Sequence, residues 1–298
     1  MKNYLMKINH LLPTTLLIIA FLFSSTSQAG SFERLFVPQP DLWAIWQQSD
    51  ESSTLSIDHQ AWNNFLQKNI QISDDGINRI HYEKVPALDK NILKNYVTYL
   101  EQIKINRYKK SQQLAYWINL YNAVTVKVIL EHYPVTTIQD ILISPGIFSI
   151  GPWGKKLLTI NDQQVSLNDI EHRILRPIWK DPRIHYGLNC ASIGCPNLLN
   201  QAYTAETIEV ELDKAAREYV NHPRGVRIED NELHVSSIYS WFQEDFGEGE
   251  LGVIKHIKKY AKNDLREKLK HITEIENDHY DWLLNDSHPY IPPEDESY

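Results

Sequence analysis

The sequence predicts an α+β fold, with a helix-rich N-terminal part packed on a small, mostly antiparallel sheet. Three observations lead there. Residues 112–132 are apolar on nearly every side of a helix, as in a segment with packed layers on both flanks. Asn161-Asp162 separates two short runs, residues 156–160 and 163–166, in the manner of a hairpin. Helical segments come first, followed by short strands broken by helices, which is not a regular βαβ alternation.

The elements follow in order. Ser56 and Asp58 offer N-caps to a helix over residues 60–70. The turn Asp74-Asp75-Gly76 leads into a short strand, residues 77–82. After Pro86 a second helix carries Leu88, Ile92, Tyr96, Tyr99 and Leu100 on one stripe. In the central helix Leu114, Trp117, Ile118, Tyr121, Val124, Val128 and Ile129 form one face, and Ala115, Ala123 and Val126 extend it. Asn119 and Asn122 lie within that apolar surround. Buried amides must find partners, so they either tie down loop backbone or face a site.

Beyond Pro134, residues 144–154 are rich in Gly, Pro and aromatics, as a structured loop or lid is. Ser166, with Asp169 three positions on, makes a capping box for a helix over residues 167–175, which carries Glu171 and His172. Asp181-Pro182 reads as a turn into a strand, residues 183–188, ending at the cysteine-bearing stretch 189–197. A helix over 205–220, a second hairpin (227–228 with 232–236), an aromatic segment at 238–246 and a helix near 252–262 complete the chain.

Residues 1–29 have the three parts of a cleavable export signal. Lys2 and Lys7 give a positive start, residues 11–23 an apolar run, and Ser27-Gln28-Ala29 a small-residue cleavage point. The apolar run is shorter than the roughly 20 residues a spanning helix needs. The expected mature chain is therefore one globular domain over residues 30–288 with a loose acidic tail, 289–298, in the periplasm or secreted. The leader holds two lysines and no acid, so its removal takes the net charge from −8 to −10. That excludes nucleic acid as a partner and, after cleavage, stable association with an anionic membrane, since both require a basic footprint.

Chemistry concentrates at Cys190 and Cys195, the two cysteines of the chain. In an oxidising compartment they can form a disulfide. Alternatively one is a thiol nucleophile. Cys195 precedes Pro196, a residue favoured in a first helical turn, where a helix dipole would lower a thiol pKa. A base and an orienting group are then required. His172 and Glu171 supply these types upstream, with His185 the other nearby imidazole, although His172 also suits a helical pairing with Asp169 or Arg176. A zinc site from His185, Cys190 and Cys195 lacks a fourth ligand and any paired CxxC motif, so no metal and no cofactor is expected.

The motifs QLAYWINLYNAVTV (113–126), SLNDIEHRILRP (166–177), DPRIHYGLNCASIGCPNL (181–198), WFQEDFG (241–247) and YDWLLN (280–285) occur here in order. Together they resemble the "domain of unknown function" family numbered five-four-seven, found in exported bacterial proteins and in plant proteins. The resemblance spans roughly residues 60–285. It implies a fold similar to papain-like and transglutaminase-like thiol hydrolases. Both histidines precede the cysteines here, the reverse of the papain-like order, which a circularly permuted fold accommodates.

The expected activity is that of a thiol-dependent hydrolase or acyl transferase acting on an amide or thioester of a small-molecule or peptide-like substrate, a thiol peptide among them. Cys190 is the expected nucleophile, His172 the base with His185 in reserve, and Glu171 or Asn119 the orienting group. Cys195 would be a resolving partner. The alternative is a non-catalytic binding or scaffold domain stapled by a Cys190–Cys195 disulfide.

Overall fold

Helix α3 (Lys110–His132) runs through the centre of the molecule, and every residue from Gln112 to Val126 is buried. The computed structural model describes residues 38–146 and 149–291. The expected export signal and the last seven residues of the expected acidic tail lie outside the described residues. Around α3 pack α1 (Gln60–Asn69) and α2 (Ala87–Glu101), whose Leu100 carbonyl accepts the Tyr116 hydroxyl at 2.9 Å. The buried face of α2 is Asp89, Leu93, Tyr96, Val97 and Leu100, one step round from the expected stripe, so Leu88 and Tyr99 face outward.

The α+β class stands, built from three small sheets. β1 (Ile70–Ile72) pairs antiparallel with β2 (Asn78–Ile80), a shorter strand than expected. β3 (Leu158–Ile160) and β4 (Gln163–Val165) form the expected hairpin, with Asn161 and Asp162 both at positive φ, 46° and 61°. Those two residue types tolerate the left-handed region that such a two-residue turn demands. The third sheet is mixed. β5 (Val226–Glu229) and β6 (Glu232–Ser236) are antiparallel, and β7 (Asn277–His279) adds parallel to β6.

The helix after β4 starts on the expected capping box: Asp169 N–H donates to Ser166 Oγ, and Ser166 N–H to Asp169 Oδ2. Over Asp169–Leu175 it is wound as a π-helix, so that Arg176 N–H reaches back five residues to Glu171 O. It then continues as α4 (Arg176–Trp179). Pro177 has no N–H to offer the preceding turn, which strands the carbonyls of His172 and Arg173. The N-terminal segment makes good the loss: Asp41 N–H donates to His172 O at 3.0 Å and Trp43 N–H to Arg173 O at 2.9 Å.

Two expectations fail nearby. Residues 183–188 are not a strand; α5 (Ile184–Gly187) is a short helix. Asp181 and Pro182 start it, with Asp181 Oδ1 accepting from Arg183 N–H at 2.9 Å and Pro182 O from His185 N–H at 3.2 Å. Nor does a helix begin at Pro196. Its carbonyl is held by Asn189 Nδ2 at 2.8 Å, and the next helix, α6, starts only at Ile208 (Ile208–Val220). Among the described residues, the helix start expected beside Cys195 is therefore absent.

After β6 come α7 (Ile238–Trp241), α8 (Gln243–Phe246), α9 (Gly249–Tyr260) and α10 (Asn263–Lys268). Apolar side chains gather in two cores, one around α1–α3 and one around α6, β5, β6 and α9, and Trp282 packs against both. Among the described residues no helix is long and apolar enough to cross a membrane.

Candidate functional site

A cavity of about 800 Å³ opens beside Trp282. The π-helical segment contributes Glu171 and His172 to its wall, α5 contributes His185, and the following loop contributes Cys190 and Cys195. Five of the six residues expected to carry chemistry thus meet in one place. Asn119 does not. It is fully buried and spent on loop backbone, donating to Tyr203 O at 2.7 Å and accepting from Tyr203 N–H at 3.0 Å. Asn122 does the same for the cysteine loop, donating to Gly187 O and accepting from Asn189 N–H, both at 2.9 Å.

Cys190 and Cys195 are joined as a disulfide, their Cα atoms 6.2 Å apart. The loop between them is fixed on both sides. Asn189 Oδ1 accepts Ala191 N–H at 2.9 Å and holds Ala191 in the left-handed region, φ 62°. Gly194 N–H donates to Asp281 O at 2.8 Å; a Cβ at Gly194 would lie 2.9 Å from Asp281 backbone atoms, so no other residue fits. Tyr280 closes the arrangement. Its hydroxyl lies 3.1 Å from each sulfur and accepts the Ser192 hydroxyl at 3.0 Å. Burial raises the Tyr280 pKa, keeping it a neutral donor. Cys195 is buried and Cys190 partly exposed. Among the described residues, neither imidazole is a hydrogen-bond partner of either sulfur.

The histidines differ in state. His185 Nε2 lies 2.7 Å from Asp245 Oδ2, and its Nδ1 lies 3.8 Å from Glu171 Oε1. Its ring stacks on Phe242, centroids 4.2 Å apart. Burial alone would raise the Asp245 pKa, but hydrogen bonds from His185 and Arg176 outweigh it and hold the group at about 2. Asp245 is therefore ionised, which places the His185 proton on Nε2 and leaves Nδ1 directed towards Glu171.

His172 is pushed down to about 4 by burial, with Arg176 adding to the effect against the opposing pull of Glu171, and is neutral at pH 7. Arg176 Nη1 donates to His172 Nδ1 at 3.1 Å. A guanidinium only donates, so that ring nitrogen carries the lone pair and the proton sits on Nε2. The helical pairing of His172 with Arg176 is thus realised, and His172 is a donor rather than a base. Arg176 also binds Asp245 Oδ2 at 2.5 Å and Pro38 O at 2.9 Å. Among the described residues no three His, Cys, Asp or Glu side chains converge as metal ligands.

Two site residues escaped the sequence reading. Asp245 sits in the motif WFQEDFG and Tyr280 in YDWLLN, but their roles appear only when α8 brings Asp245 to His185 and the segment after β7 reaches the cavity. The loop 144–154 does line the cavity, through Ser144, Ser149, Ile150, Trp153 and Gly154.

No curated protein and no solved structure matches this chain. Residues 105–220, which contain α3, Glu171, His172, His185 and both cysteines, match the family described as "Protein of unknown function, DUF547", and the match supports the family to which the motifs pointed.

Proposed function

We propose that this chain is an exported thiol-dependent hydrolase or acyl transferase for an amide or thioester of a small peptide-like substrate, latent while Cys190 and Cys195 are joined. The observation that carries the reading is His185, held between Asp245 and Glu171 on the same cavity wall as Cys190. Opening the disulfide consumes one dithiol reductant, which leaves as a disulfide while Cys190 and Cys195 each gain a hydrogen. Cys190 is the better nucleophile of the two because it is partly exposed and Cys195 is not.

The base moves from His172 to His185. With Asp245 fixing Nε2–H, Nδ1 takes the Cys190 proton, and Glu171 steadies the resulting imidazolium. The thiolate attacks the carbonyl carbon and forms a C–S bond. The C–N or C–S bond of the substrate then breaks, and the leaving group takes the proton back from His185. His172 Nε2–H suits the developing oxyanion. Water or an acceptor amine then removes the acyl group from Cys190.

The second reading is a non-catalytic exported binding or scaffold domain. It is favoured by one observation: both sulfurs are bonded to each other and capped by Tyr280. A thioester acyl donor separates the two. The reduced protein is expected to gain one acyl group on Cys190 by peptide mass mapping, and the oxidised protein none. Absence of acylation after complete reduction would reject the enzyme reading and leave the binding domain.

A further inference from the structure

The charge balance of the cavity wall points to the ligand. Three carboxylates stand on or beside the π-helical segment, Asp169 and Glu171 buried and Asp245 partly buried. Asp169 is paired with Lys156 and Arg173, and Asp245 with Arg176 and His185. Glu171 is buried too, with 9% of the residue exposed, yet no lysine or arginine among the described residues reaches it. Its contacts are the Tyr121 hydroxyl and His185 Nδ1, the latter at 3.8 Å, beyond hydrogen-bond length. Burying a carboxylate without a cation is costly, so the missing cation is the feature to explain.

The same cavity carries an aromatic wall. Tyr280 meets Trp282 at 4.6 Å between centroids, Trp241 meets Tyr280 at 4.7 Å, and Trp153 meets Trp282 at 5.9 Å. These pairs meet at 57°, 52° and 67°, while Trp241 and Trp282 stack at 28° with centroids 5.6 Å apart, so the rings form one connected aromatic surface. All four rings line the cavity, where Glu171 is the single acidic side chain and no lysine or arginine occurs among the described lining residues. Aromatic faces around one carboxylate are the surroundings that hold an organic cation.

We infer that the cavity binds a primary ammonium group, the free amine of a small peptide-like ligand, against Glu171 and the rings of Trp153, Trp241, Tyr280 and Trp282. This deepens the proposed function by naming the charge of its substrate, and rests on that reading for what then happens to the bound molecule. The binding itself requires no reactive thiol.

The test is a tryptophan-fluorescence titration of the oxidised protein at pH 7 and constant ionic strength, with butylammonium chloride, 1-butanol and sodium butyrate as probes. Butylammonium is expected to saturate with an apparent affinity at least tenfold above that of 1-butanol, with butyrate weaker still. Glu171→Gln removes the preference for the cation while leaving butanol binding in place. Trp282→Leu weakens butylammonium binding severalfold. Equal binding of butylammonium and 1-butanol to the native chain would overturn the inference, as would an unchanged preference in Glu171→Gln. The wild-type comparison decides even if a variant fails to fold. Acylation of Cys190 without cation preference would leave the proposed activity standing; cation binding without acylation would leave the binding domain.

Discussion

His185 Nε2 lies 2.7 Å from Asp245 Oδ2, and Arg176 Nε reaches the same oxygen at 2.5 Å. One carboxylate therefore sets the tautomer of the imidazole and neutralises a guanidinium whose side chain is 3% exposed. Asp245→Asn removes the charge and leaves Arg176 buried without an anion. A loss of about 3 kcal/mol is expected in urea denaturation, in the range for breaking one partner of a buried pair.

The same group gives an acid signature. Its folded pKa, about 2, lies below the ordinary value of 3.8. Its stabilisation is therefore complete above about pH 4 and is lost as pH falls from there towards 2. The wild-type chain should lose about 2 kcal/mol over that window that Asp245→Asn does not lose.

Histidine burial produces a second, separate pH dependence. His59, His172 and His256 are each pushed down to about 4, by burial first. Unfolded, they take protons near pH 6.5; folded, they do not until about pH 4. Stability is therefore expected to fall steadily between about pH 6.5 and pH 4. His256→Gln, away from the cavity wall, should flatten that slope in thermal melts recorded across the window.

The two buried asparagines of α3 separate scaffold from site. Asn119→Ala and Asn122→Ala each abandon two backbone groups, at a cost of about 2–3 kcal/mol. Hydrogen exchange should distinguish them. Asn122→Ala accelerates exchange at Asn189 and through the cysteine loop, whereas Asn119→Ala does so at Tyr203 and spares the loop.

The disulfide itself contributes modestly. It closes a loop of five positions, for which chain entropy gives about 2 kcal/mol. Cys195→Ser and the reduced wild type are expected to melt below the oxidised chain by that amount, with the fold retained, as judged by far-ultraviolet circular dichroism.

What could be read from the sequence was what neighbouring residues decide. The Ser166–Asp169 box, the Asn161-Asp162 turn and the all-round apolar α3 each carry their cause within a few positions. Asp181-Pro182 fits a turn into a strand and a helix start equally well, and the helix is the one that forms. The π-helix has a local cause, Pro177, but its carbonyls are satisfied by Asp41 and Trp43, far away in the chain. Asp245 and Tyr280 join the site across separations of 60 and 85 positions, which no local pattern encodes. The pairing of His172 has long-range partners in the same way: Arg176 reaches His172 Nδ1 while Asp245 and Pro38 O hold the guanidinium in place.

The central claim is that Asp245 and His185 activate the Cys190 thiol once it is freed. Its most direct test is the pH dependence of iodoacetamide alkylation of Cys190 in the Cys195→Ser protein. A thiol pKa well below the ordinary value of about 8.5 is expected, returning towards it in Cys195→Ser/His185→Gln. A pKa at or above that value, unmoved by the loss of His185, would contradict it.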